Sequence, residues 1–133
     1  MESAILLIAH GSRLQAANDD LLEIAGMLQQ RCPDAIIECA YLELAEPTIP
    51  QGMAACVARG AKSVRVLPYF LSAGRHVSDD LDWYGRQFAK DYPDVSVSVC
   101  PPIGLHPLMI DVLLSRLAES ELPSGERSCS STD

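Results

Sequence analysis

The chain has 133 residues and is short of positive charge. Ten Lys and Arg stand against 18 Asp and Glu, a formal net charge of −8. A nucleic-acid binder usually presents a basic face to the phosphate backbone, and ten cations spread along the chain do not supply one. No apolar run approaches the roughly 20 residues that span a bilayer. The start, "MESAILLIAHGS", has no basic segment ahead of its apolar stretch, and His10 breaks that stretch. It reads as a first core strand and not as a signal peptide. These absences predict a cytoplasmic protein that meets neither membrane nor nucleic acid. An acidic substrate stays open, provided that cations such as Arg13 or Arg75 meet it locally.

Other signatures are missing too. The five cysteines, Cys32, Cys39, Cys56, Cys100 and Cys129, include no CxxC pair, and their spacing fits neither a zinc site nor a disulfide framework. Cys39, Cys56 and Cys100 lie in apolar segments and read as buried small hydrophobes. Cys129 lies in a polar tail and reads as exposed. "HGSR" lacks the Gly-x-Gly-x-x-Gly and Gly-Lys-Ser/Thr patterns, which disfavours nucleotide binding. Ser12 is outside any Gly-x-Ser-x-Gly elbow, which disfavours a serine hydrolase. No internal repeat is evident.

What is present is a globular balance, 48% hydrophobic and 21% charged, in a length that suits one domain. Four segments read as strands: 3–10, 35–42, 63–70 and 95–100. The first three are mostly apolar on both parities, as strands covered on both faces tend to be. The fourth alternates, as an edge strand does. Helical spacing runs from 14 to 31, from Pro47 or Thr48 to Arg59 with Gly60 as its stop, from Ser78–Asp80 to just before 92–94, and over 106–120 with Pro107 in the first turn. The order β-α-β-α-β-α-β-α predicts a single flavodoxin-like α/β domain over 1–119, with a four-stranded, mainly parallel sheet flanked by helices. Residues 120–133, rich in Ser, Gly and charge, read as a disordered polar tail.

In such folds ligands sit at the carboxyl ends of the strands. Here those ends carry "HGSR", "YLELAEPTIP", "PYFLSAGRHVSDD" and "PPIGLHP", and all three histidines fall in them. His10, Glu43, Glu46 and His76 are expected to meet above the sheet, and imidazole with carboxylate suits a divalent first-row metal. Each residue also has a plainer reading. His10 could bond a neighbouring backbone group. His76 could cap a helix, and His106 before Pro107 is better read that way. Glu43 could be the polar face of a strand end, and Glu46 could favour a helix N-terminus electrostatically.

Together, "LLIAHGSR" with the following Asn18, "YLELAEPTIP", "LPYFLSAGRHVSDDL" and "PPIGLHPLM" resemble the small class II chelatases of the CbiX/SirB type, over about residues 3–118. The resemblance implies a sirohydrochlorin cobaltochelatase or ferrochelatase, a lyase that inserts Co²⁺ or Fe²⁺ into a tetrapyrrole without nucleotide or organic cofactor. Ni²⁺ is a further candidate, since such ligands discriminate weakly among these ions. It also implies roles: His10 as metal ligand and proton acceptor, His76 as second metal ligand, and Glu43 as an acidic group on the metal or proton path. Glu46 and the run Phe70, Leu71, Ser72, Ala73, Gly74 and Arg75 would lie along the tetrapyrrole, with Arg13 and Arg75 facing its carboxylate rim. Longer relatives carry two such domains, so one domain implies a homodimer. A carrier or sensor that binds metal or tetrapyrrole without turnover would use the same ligands. A purely structural flavodoxin-like domain would bind no divalent metal.

Overall fold

β1, Ser3–Ala9, is an inner strand of the sheet because its sequence leaves no polar face: Ala4 to Ile8 are all buried. Described residues run from 2 to 120 in the computed structural model, so the tail beyond 120, with Cys129, lies outside the described residues. β1 pairs in parallel with β2 (Ile36–Tyr41) on one side and with β3 (Ser63–Pro68) on the other, and β3 pairs in parallel with β4 (Ser96–Val99). The order is β2-β1-β3-β4, a parallel α/β sheet as expected. β4 lies at the edge, with residues alternately exposed and half-buried.

Successive side chains of β1 point to opposite faces, and this sorts the helices. Ala4, Leu6 and Ile8 share one core with Ile49, Met53 and Cys56 of α2 (Ile49–Ala58) and with Leu81 and Phe88 of α3 (Arg75–Asp91). Leu7 on the other face packs with Leu21 of α1 (Gln15–Arg31) and with Tyr41. α2 starts at Thr48, whose side chain accepts from the Gln51 N–H while Gln51 reaches back, a capping box. Gly60, with φ of 95°, lies just past its end, as the sequence predicts.

α3 begins earlier than the sequence suggests, at Arg75 and not at Ser78–Asp80. The Ser78 N–H already donates to the Gly74 carbonyl at 3.0 Å, so the three residues between complete a first turn that needs no side-chain cap. His76 is therefore helical, not a loop residue. Burial is also uneven among the cysteines expected to be core: Cys56 is buried, while Cys39 and Cys100 are half-buried. Burial pushes the Cys56 thiol up to about 11, which keeps it an inert thiol at neutral pH.

The chain divides into two units between Ile103 and Gly104. The first is the α/β domain above. The second contains α4 (Leu108–Glu119), where the His106 imidazole accepts from the Leu108 N–H at 3.2 Å, the plain capping role expected of it. Leu108, Ile110, Val112, Leu113 and Leu117 of α4 are exposed. Among the described residues no helix is long and apolar enough to cross a membrane.

Candidate active site

In a parallel sheet every strand delivers its carboxyl end to the same edge. β1 ends at Ala9, so His10 is the first residue beyond the sheet. The β1–β2 ladder continues past the strands: Leu42 N–H donates to the Ala9 carbonyl at 2.9 Å, and Glu43 N–H donates to the His10 carbonyl at 3.0 Å. Gly11 follows with φ of 95°, and a Cβ there would overlap the Glu43 carbonyl oxygen. Glycine is thus required for both reasons, conformation and room.

The His10 ring is exposed on one side and stacked on the other. Its partner is Phe70, just past β3, with centroids 4.2 Å apart and planes 27° from parallel. Phe70 itself is only 4% exposed and forms part of the core. It supports the imidazole and offers little surface of its own to a ligand. Because β1 leads to β2 on one side and β3 leads to β4 on the other, this stack joins the two strand ends at the switch point of the topology, the usual ligand crevice of such sheets.

Ser12 holds the turn after Gly11 in place. Its N–H donates to Asn18 Oδ1 at 2.9 Å, and its carbonyl accepts from Asn18 Nδ2 at 2.8 Å. Asn18 is the buried polar residue of α1, and its own carbonyl accepts from the Tyr41 hydroxyl at 2.7 Å. Burial, with the nearby Cys39 and Asp19 adding to it, raises the Tyr41 hydroxyl above its ordinary value and keeps it a donor. "HGSR" is thus clamped from α1 and β2 together. The sequence shows Asn18 and Tyr41 but not that they act as one device, since the link depends on α1 packing against β2.

His10 and Glu43 line one cleft of about 520 Å³ with Leu42, Val77, Asp80, Trp83 and Tyr84. Glu46 and Arg13 line a different cleft, of about 470 Å³, with Ser12 and Asn18. The chain turns at Leu44, whose φ is 65°, so Leu42 and Glu43 serve the first cleft while Leu44 to Pro47 serve the second. Ala73 borders a third cleft beside Pro68 and Pro101. Leu71, Ser72 and Gly74 are exposed, and Arg75 and His76 project from the exposed first turn of α3.

The expected meeting of His10, Glu43, Glu46 and His76 is therefore not seen as one cluster. Among the described residues no group of three or more His, Cys, Asp and Glu side chains is placed to hold a metal ion. What the structure does bring together is one imidazole and two carboxylates, Glu43 and Asp80, around a cleft with apolar and aromatic walls. Imidazole and carboxylate can take up protons and can meet a divalent cation. Asp80, Trp83 and Tyr84 are not legible as cleft residues in the sequence, because which face of α3 meets the end of β1 depends on how the helix packs. Val77, Asp80 and Tyr84 recur at i, i+3 and i+7 along one face of α3.

This geometry has relatives. The chain matches the CbiX family over residues 4–120. It is 37% identical over 113 residues to the chloroplastic sirohydrochlorin ferrochelatase of Arabidopsis thaliana, covering 85% of this chain and 50% of that one. It is 32% identical over 117 residues to a sirohydrochlorin cobaltochelatase of Priestia megaterium, covering 88% of this chain and 38% of that one. The solved structure of SirB from Bacillus subtilis with Fe³⁺ aligns with a TM-score of 0.81 at 31% identity, over 92% of this chain and 49% of that one. The chain thus spans half or less of the length of these relatives. With the parallel sheet, the order of its strands and the histidine at the end of β1 all in place, the chain belongs to the CbiX family.

Proposed function

We propose that the protein is a chelatase that inserts a divalent metal, Co²⁺ or Fe²⁺, into sirohydrochlorin or a close relative, using no organic cofactor. The observation that carries this reading is His10: an imidazole set at the switch point of the sheet, backed by Phe70 and facing a cleft with Glu43. Insertion requires that the ion lose its water and that the macrocycle lose two pyrrole N–H protons as its four nitrogens bind the ion. His10, in its neutral form, takes the role of loose metal ligand and proton acceptor. Glu43 receives or relays protons and attracts the cation. His76 is the second metal ligand of this proposal. Few protein ligands leave coordination positions open, as transfer to a macrocycle demands. The working domain in this reading is 1–119, an extent that the family match supports.

The reading is tested by incubating a small amount of protein with excess sirohydrochlorin and each of Co²⁺, Fe²⁺ and Ni²⁺, and following the visible spectrum. Many turnovers per chain are expected. Uptake that stops at one equivalent would replace the chelatase by a carrier.

The carboxylate rim of the substrate is assigned to the cations Arg75 and Arg13, with Glu46, Leu71, Ser72, Ala73 and Gly74 along the ring. Arg75→Glu is expected to raise the sirohydrochlorin KM about tenfold, the factor that roughly 1.4 kcal/mol produces, and to leave metal affinity nearly unchanged. Steady-state kinetics with each substrate varied in turn check this, and an unaltered KM removes Arg75 from the rim.

The chain is proposed to act as a homodimer, a reading that the exposed apolar side chains of α4 support. Light scattering is expected to give twice the 14.4 kDa chain mass, and a monomer at assay concentration would reject the pairing.

A further inference from the structure

Trp83 is the only tryptophan of the chain. It lies on α3, is 50% exposed and lines the same cleft as His10 and Glu43. A half-exposed indole that lines a cleft presents a broad apolar surface that a ligand there can cover. Its position is also fixed from behind. Tyr84 meets it edge-on, with centroids 5.2 Å apart and planes at 74°, and Tyr84 in turn stacks on Phe88 at 5.8 Å. Phe88 is a core residue, 4% exposed. An aromatic series therefore runs from the hydrophobic core out to the cleft and ends in the open indole.

The opposite side of the cleft carries His10 and Glu43, and Asp80 lies one turn before Tyr84 on α3. A ligand that suits such a cleft has a broad unsaturated surface for the indole and a reactive centre for the imidazole and carboxylates. It keeps its own negative groups away from Glu43 and Asp80. A conjugated macrocycle with flat apolar faces, N–H groups at its centre and carboxylates only at its rim has these properties.

We propose that Trp83 is a substrate-binding residue, an aromatic wall against which the tetrapyrrole ring lies while its centre faces His10. This inference rests on the chelatase reading and adds to it a specificity contact on α3. It predicts selection for a large conjugated ring and no direct part for Trp83 in proton or metal transfer. Trp83 acts on binding, so its removal raises KM and leaves kcat almost intact.

The test compares wild type with Trp83→Leu, Trp83→Gln and Trp83→Phe, using the full chain. Two readouts are taken: the absorbance titration of metal-free sirohydrochlorin, and kcat and KM for Co²⁺ insertion. Thermal melts by circular dichroism establish that the variants fold, and the two non-aromatic variants guard against failure of either. Trp83→Leu and Trp83→Gln are expected to weaken binding and raise KM about tenfold, within the range found for stacking on aromatic side chains. Trp83→Phe is expected to restore most of the affinity. Non-aromatic variants that bind as tightly as wild type would overturn the role of Trp83 while leaving the chelatase reading intact. A fall in kcat with unchanged KM would overturn it as well. Wild-type protein that neither binds nor metallates the ring would overturn both.

Discussion

Metal insertion by the His10→Ala variant is expected to fall by about 10²- to 10⁴-fold, the contribution usual for a positioned acid–base group, with the fold unchanged. His10 lies beyond the last residue of β1 and its ring is exposed on the cleft side, so its loss opens no cavity in the sheet. The main structural consequence is that Phe70 loses its stacking partner and gains some exposure. His76→Ala is expected to abolish insertion likewise, as the second proposed ligand, and its exposed place on the first turn of α3 leaves the fold unchanged. Each variant is measured for initial rate at saturating sirohydrochlorin and Co²⁺, with a thermal melt as control. Full activity in His10→Ala would end its catalytic assignment. Full activity in His76→Ala alone would leave His10 and Glu43 as the reacting groups and remove His76 from the metal path.

The second large effect is expected at Gly11→Ala, and it should appear in stability and activity together. A non-glycine residue held at φ of 95° costs about 1–3 kcal/mol for the backbone alone. The added methyl would also overlap the Glu43 carbonyl oxygen, so the two loops must separate. That separation breaks the Glu43 N–H bond to the His10 carbonyl, the bond that registers the two cleft residues against each other. The urea midpoint should drop with little change in slope, and insertion should fall further than the residual folded fraction explains. A Gly11→Ala protein with the stability and rate of wild type would show that the close approach of the two loops has no part in the site.

His10→Ala and Gly11→Ala probe neighbouring residues in different ways. His10 is read as chemistry on a rigid support, Gly11 as the support itself. The difference should be visible in the melts, where His10→Ala stays close to wild type and Gly11→Ala does not.

Much of the architecture is legible along the chain because burial follows periodicity. "SAILLIA" has no polar face and becomes the central strand, while "SVSV" alternates and becomes an edge. Thr48 with Gln51 marks the start of α2, and Gly60 its end, since both signals act within one turn and need no distant partner. The start of α3 is less legible: Gly74, Arg75 and His76 carry no capping side chain, and the first turn closes only through the Gly74 carbonyl.

For the site, the sequence by itself determined that His10 follows an apolar strand and that Glu43, Glu46 and His76 lie near the ends of others, because a parallel sheet sends all these ends to one edge. Only the tertiary structure decided which of them share a cleft. The left-handed turn at Leu44 sends Glu43 towards His10 and Glu46 towards Arg13. The way α3 is rotated on the sheet turns Asp80, Trp83 and Tyr84 to the His10 cleft. The physical reason is range. Strand and helix periods are set by neighbours in the chain, whereas a cleft is set by the backbone turn of one loop and the rotation of a helix packed on a distant strand.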